Sequence, residues 1–317
     1  MTHHSPLTAS GLTRRVFLRR LAVAGAGTVL AGCTGTTSSP SAAPTPAASD
    51  PGSVAVAAVA PDATVDLAVV AATFEQLVDQ PNPFVFGLFT MEQEPVAEAD
   101  AQLYAVPAGG EPAGPWPATP SGADVPPGAL YTVDAEFTAT GLYELVVVTA
   151  DGRAGVVAVE VRDSDSSVLP APGQQAQSVA TPTSEDDLGY DRLCTRSGEP
   201  CGMHDASLDQ ALERGTPVVA LFATPAFCQT AVCGPTVEVV DQVRRDHFAG
   251  DDVTFVHIEI FADAGETLGD PVLAWNLPTE PWMFVIDDGG TIVRRADGPL
   301  LVIADEVRSL IDDGLTA

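Results

Sequence analysis

Pro217-Val-Val-Ala-Leu-Phe-Ala-Thr-Pro-Ala-Phe-Cys228-Gln-Thr-Ala-Val-Cys233-Gly-Pro235 changes character twice along its length. Pro217–Ala223 is an unbroken apolar run, the pattern of a strand buried on both faces. Thr224-Pro225 ends that run. Pro235–Phe248 then reads as a helix, with Val237, Val240, Val243 and His247 or Phe248 on one stripe. Cys228 and Cys233 thus fall at a strand-to-helix junction, the edge at which open α/β sheets bind and react. A helix N-terminus beside a cysteine favours its thiolate. Further on, Thr279-Glu280-Pro281-Trp282 leads into a second apolar run, and the Glu280-Pro281 bond is a candidate for the cis form.

The surrounding sequence extends this pattern. Leu208–Arg214 reads as a short helix capped by Ser207 or Asp205. Val253–Phe261 is a second strand. Trp282–Asp287 and Thr291–Ala296 form a hairpin across Asp287-Asp288-Gly289-Gly290. Ala304–Asp312 closes the chain as a helix. Helices and strands alternate over residues 189–317, which predicts an α/β domain.

Residues 189–317 resemble thioredoxin-like thiol–disulfide oxidoreductases. The resemblance rests on the strand Val218–Ala223, on Cys233-Gly234-Pro235 and on Thr279-Glu280-Pro281-Trp282. It implies an α/β thioredoxin-like fold in which the loop carrying Pro281 sits against the reactive thiol. Glu280 and Trp282 would then border the substrate. One cysteine would attack a client disulfide and the other would resolve the mixed disulfide. The family pattern is Cys-Gly-Pro-Cys, whereas here Thr236 follows Gly-Pro and the partner, Cys228, lies upstream in a Cys-x4-Cys arrangement. Position relative to the strand makes Cys228 the attacking thiol, and the Cys-Gly-Pro motif makes it Cys233. The looser setting of Cys228 favours the first assignment.

Cys194 and Cys201 enclose a Gly- and Pro-containing loop and are expected to form a structural disulfide, the alternative being a second redox pair. His204 lies close enough in sequence to tune a thiolate, and His257 reads as a core or edge histidine of a strand. No metal-ligand set and no cofactor is expected. Three other functions remain open for the Cys228/Cys233 pair. A thiol peroxidase is one, because the spacing also resembles that of one class of peroxiredoxins, although Thr224 lies four residues before Cys228 rather than three. A Cu(I)-binding metallochaperone using the two thiols and His257 is another. A redox-inactive binding scaffold is the third.

Residues 1–32 read as an export signal. Thr13-Arg14-Arg15-Val16-Phe17-Leu18 resembles a twin-arginine signal, and Leu30-Ala31-Gly32-Cys33 resembles a lipobox with Cys33 as the lipidated residue. Residues 33–52 are Thr, Ser, Pro and Ala-rich, the composition of a disordered tether. Residues 53–162 carry short apolar runs punctuated by Pro, Gly, Asn and Asp: Ser53–Ala60, Thr64–Ala72, Phe84–Thr90, Ala101–Val106, Gly128–Thr138, Gly141–Ala150 and Gly155–Val161. They predict an all-β immunoglobulin-like sandwich with a hairpin at Asp151-Gly152 and a core or corner tyrosine at Tyr143. Residues 163–188 read as a polar, disordered linker.

The chain has 317 residues and a formal charge of −29, with 43 acidic side chains against 14 basic ones, every basic one an arginine. Loss of residues 1–32 removes four of those arginines and no acid. Such a surface repels nucleic acid. The reading is therefore an extracytoplasmic lipoprotein held on the outer face of the cell membrane. Its expected partners are client proteins bearing thiols or disulfides and a membrane redox partner.

Overall fold

Seven of the strands in the first half of the chain close on themselves. They are β1 (Thr64–Ala71), β3 (Asn82–Thr90), β4 (Ala101–Pro107), β5 (Ala113–Ser121), β6 (Leu130–Ala135), β7 (Gly141–Thr149) and β8 (Arg153–Arg162), with the two-residue β2 (Gln76–Leu77) added beside β8. The structure is a computed structural model that describes residues 51–316, apart from 81, 97–99, 122–129, 229–231 and 251. The expected signal, Cys33 and the tether as far as residue 50 lie outside the described residues.

The strand order is β1-β3-β6-β5-β4-β7-β8, and β1 also pairs in parallel with β8, from Thr64 opposite Arg153 to Ala68 opposite Val156. A register shift between Val65 and Leu67 lets one strand serve both neighbours, antiparallel to β3 and parallel to β8. Alternation along the strands sends Phe84, Phe86 and Leu88 inward, together with Leu103, Ala105, Tyr131, Val133, Leu145 and Val147. Gly152, at φ 83°, makes the β7–β8 turn that Asp151-Gly152 predicts. The Tyr143 hydroxyl donates to the Ala139 carbonyl at 2.9 Å, locking the corner into β7.

Two local expectations fail here. Ser53–Ala60 is not a strand: Pro51–Val59 form helix α1, and Ala55 and Val56 pack on Val146 and Ala154 of the ring's outer face. Proline at a first helical position is pre-set for the helix, and alanine has the best helical propensity. In turn, β5 escapes the sequence reading because it contains Pro115, Pro117 and Pro120. They are tolerated because β5 pairs with β4 over Ala113–Ala118 and with β6 over Thr119–Ser121, so most of its residues need a ladder on one side alone.

The expected linker, 163–188, is an ordered strap rather than a disordered segment. Leu169 and Ala171 are buried, and Ala176 and Val179 pack on the second core. Backbone bonds from Gly173 and Ala176 to the carbonyls of Ile292 and Gly290 stitch it to the last hairpin. The Trp275 indole donates to the Gln177 carbonyl at 3.1 Å. Apolar residues spaced through a polar stretch suffice to dock it where a neighbouring sheet offers unpaired backbone groups.

The second half is an α/β unit with helices α2 (Leu208–Glu213), α3 (Cys233–His247), α4 (Asp270–Ala274) and α5 (Ala304–Leu315). Its four strands, β9 (Val218–Phe222), β10 (Thr254–Ile258), β11 (Trp282–Ile286) and β12 (Ile292–Asp297), lie in the order β10-β9-β11-β12. Strand β10 runs parallel to β9, and the other pairs are antiparallel. Both faces of β9 are buried, as its apolar run requires. Val219 and Leu221 face α3 and α5, against Val237, Val240, Val243, Val307 and Ile311. Val218, Ala220 and Phe222 face α2, α4 and the strap, against Leu208, Val272 and Trp275.

The ring and the α/β unit share buried polar contacts. Arg295 of β12 pairs with Glu75 at 2.6 Å, both side chains being less than a tenth exposed, and Arg295 also donates to the Pro170 carbonyl. The Phe74 amide donates to the Asp297 carboxylate at 3.0 Å. Burial, the largest influence, pushes Asp297 up to about 7, against the Phe74 hydrogen bond. Phe74 meets the Trp282 ring edge-on, with Arg295 over the same indole.

Candidate thiol site

β9 ends at Phe222, and the chain turns through Thr224 to Cys228, whose amide donates back to the Thr224 carbonyl at 3.1 Å. Cys228 is half-buried there. Cys233 is the first residue of α3 and is fully buried among Val237, Leu221 and Met283. Neither cysteine is in a disulfide. The ladder between β9 and β11 sets Trp282 opposite Phe222, so the residues preceding β11 arrive beside the end of β9. That register brings Glu280 to the cysteines. Its carboxylate oxygen and the two sulfurs lie within 4.8 Å of one another. The Glu280-Pro281 bond is cis, as is Gly114-Pro115.

The electrostatics separate the two thiols. A hydrogen bond to Cys228 holds the Cys233 thiol above its ordinary value, and burial and the Glu280 carboxylate push it the same way. Cys233 is therefore a proton donor to Cys228. Burial, aided by the charge of Cys228, pushes Glu280 up to about 8, and one of its oxygens has no hydrogen-bond partner. The chain has thus placed a carboxyl that titrates near neutrality beside a protonated, buried thiol.

Of the residues read from sequence, Cys228, Cys233, Glu280 and Pro281 come together. Trp282 does not join them at an accessible edge. It is 1% exposed, stacks on Phe284 and donates its indole N–H to Thr279 at 3.1 Å. Its alternation along β11 sends it into the core and against Phe74, so the substrate-contact role expected for it is corrected to a packing role.

Cys194 and Cys201 are also not bonded to each other, their sulfurs lying 3.9 Å apart where a staple was expected. His204 Nε2 lies 3.2 Å from Cys201 Sγ, and His257 Nδ1 lies 3.3 Å from the same sulfur and 3.8 Å from Cys194 Sγ. The two ring nitrogens are 3.2 Å apart. His204 therefore faces this second pair and not Cys228. The sequence pattern predicts no metal ligand, yet four side chains of ligand type converge here, all buried. The two cysteine sites are joined through Thr195. Its hydroxyl and amide bind Glu259 at 3.0 and 2.6 Å, and its hydroxyl oxygen accepts the Ala226 amide at 3.1 Å. Burial pushes the Glu259 carboxyl up. Among the described residues no helix is long and apolar enough to cross a membrane.

No family model matches the chain, and no curated protein matches it. Solved structures similar to it include the filamin domain of Lin-41, at 13% identity over 31% of this chain and 94% of that one, with a TM-score of 0.23. The C-terminal domain of ZirS matches at 11% identity over 42% of this chain and 87% of that one, with a TM-score of 0.21. At those scores neither likeness bears on the fold or function of this chain.

Proposed function

We propose that residues 189–317 are a thioredoxin-like domain that exchanges thiols and disulfides with client proteins, carried on a lipoprotein anchored through Cys33 at the outer face of the cell membrane. The observation that carries the reading is the meeting of Cys228, Cys233 and Glu280 beside Pro281, at the C-terminal end of β9. The sheet order and the helices on both faces support it. The immunoglobulin-like reading of the β ring is supported by the Tyr143 corner and by β1 serving both edges.

In the reducing direction, the Cys228 thiolate attacks one sulfur of a client disulfide. A mixed disulfide forms and the client's other sulfur leaves as a thiolate. Cys233 then gives its proton to Glu280 and attacks the Cys228 sulfur. The Cys228–Cys233 disulfide forms, and the client leaves with both sulfurs reduced. Two electrons have passed to the client, and a dithiol partner returns them by the same steps in reverse. Cys228 is the attacking thiol because it is the more exposed of the two and receives a hydrogen bond from Cys233.

The test is turnover of a protein disulfide by the mature chain, beside Cys228→Ser and Cys233→Ser. Cys233→Ser is expected to accumulate a mixed disulfide through Cys228, and Cys228→Ser to form none. Absence of turnover, with a Cys228–Cys233 bond that resists dithiol reductant in the folded protein, would make the pair structural.

A further inference from the structure

The geometry points to a tetrahedral zinc(II) site formed by Cys194, Cys201, His204 and His257, separate from the Cys228/Cys233 pair. Zinc bonds of about 2.3 Å to sulfur and about 2.0–2.1 Å to nitrogen require tetrahedral edges of about 3.8 Å between sulfurs, 3.6 Å between sulfur and nitrogen and 3.3 Å between nitrogens. The corresponding separations are 3.9 Å for the sulfurs, 3.2, 3.3 and 3.8 Å for three of the four sulfur-to-nitrogen edges, and 3.2 Å for the nitrogens. All four atoms lie within 4.8 Å of one another.

The tautomer of His257 fits the assignment. Its Nε2 lies 3.0 Å from the Ala223 carbonyl oxygen and donates its hydrogen there, which leaves the Nδ1 lone pair aimed at the two sulfurs. A backbone carbonyl behind a ligating imidazole is the usual way to fix its orientation. The loop is held in place independently of any ion. The His257 amide donates to the Met203 carbonyl at 2.8 Å, laying the loop along edge strand β10, and Arg196 pairs with the buried Asp241 of α3.

Charge and closure choose the metal and its role. Two thiolates and two neutral imidazoles balance a divalent ion, so the buried centre carries no net charge. A monovalent copper ion would leave an excess negative charge in the core. All four positions are taken by protein, and the ligands are at most 6% exposed, which is the closed arrangement of a structural site rather than an open catalytic one. The ion would do the work of the staple that the Cys194–Cys201 spacing suggests, and would add β10 to it.

The test uses the full mature chain, purified without chelator, with zinc measured by elemental analysis and cobalt(II) as the spectroscopic probe. One zinc per chain is expected, and the cobalt form should show thiolate-to-metal charge transfer and the intense visible bands of a tetrahedral ion. Removing a partner behind a ligand typically weakens metal binding by about 10–100-fold, so His204→Ala, which removes a ligand, should weaken it by more than that. A Cys228→Ser/Cys233→Ser double variant should keep the metal unchanged. If His204→Ala does not fold, X-ray absorption of the wild-type zinc form decides, two sulfur and two nitrogen neighbours being the expected result. A Cys194–Cys201 disulfide in protein produced with zinc present, a metal lost from the Cys228/Cys233 variant, or a spectrum with no sulfur ligand would each overturn the assignment.

Discussion

At Glu280 the same burial that would serve the proposed chemistry weakens the fold at neutral pH. The folded chain holds its proton up to about 8, whereas the unfolded chain releases it near the ordinary 4.5. Its contribution to stability is therefore full below about 4.5 and is lost as the pH rises through about 8. Asp297, raised from 3.8 to about 7 by burial, acts in the same direction. Thermal melts between pH 5 and 8 should show the midpoint falling with rising pH, and Glu280→Gln should flatten part of that fall. The activity of Glu280→Gln should change in the opposite sense. In the proposed mechanism Cys233 resolves the mixed disulfide with the carboxylate as proton acceptor, and Cys228 bears no charge there to add to the effect of burial. The wild-type rate should therefore climb with pH at a value below about 8, while the variant is slower by about 10²-fold or more and loses that limb. A variant with an unchanged pH profile would remove Glu280 from the proton path.

Among the elements, those with a single dominant signal match their sequence pattern closely. β9 follows from an apolar run, the stripe of α3 from Val237, Val240 and Val243, and the last turn from Asp287-Asp288-Gly289-Gly290, where the Asp287 carboxylate accepts the Gly289 and Thr291 amides. Elements whose stability is supplied by a neighbour were not legible. The strand β5 hides behind its prolines, α1 behind valines that suit a strand equally, and the strap behind its polar composition. The thiol site was legible in Cys228, Cys233, Glu280 and Pro281 because strand, helix and X-Pro each leave a mark. The Cys194/Cys201/His204/His257 cluster was not, because His257 reaches it through the pairing of β10 and no local spacing records that contact. One element-level expectation can be measured directly. Tyr143→Phe removes the hydroxyl bond to Ala139 while keeping the ring against Phe137, and should cost about 1 kcal/mol in denaturant unfolding.

Over the whole molecule, the buried Glu75–Arg295 pair joins the ring to the α/β unit. Arg295→Ala leaves Glu75 charged and buried and should cost about 3–5 kcal/mol, whereas Arg295→Met combined with Glu75→Leu should recover most of that loss. Equal losses in both variants would show that the pair contributes more than charge compensation. Trp282 lends this junction a further significance. Its backbone follows Pro281 at the thiols, and its indole is held by Phe74 from the other half. Among the described residues these contacts couple the two halves, so neither half should melt and leave the other native. Heating should give one calorimetric transition whose van't Hoff and measured enthalpies agree. A fragment cut at residue 189 would lose Phe74, Glu75 and Leu169 together and uncover Trp282 and Arg295, so the boundary that divides the chain into two architectures should not divide it into two cooperative units.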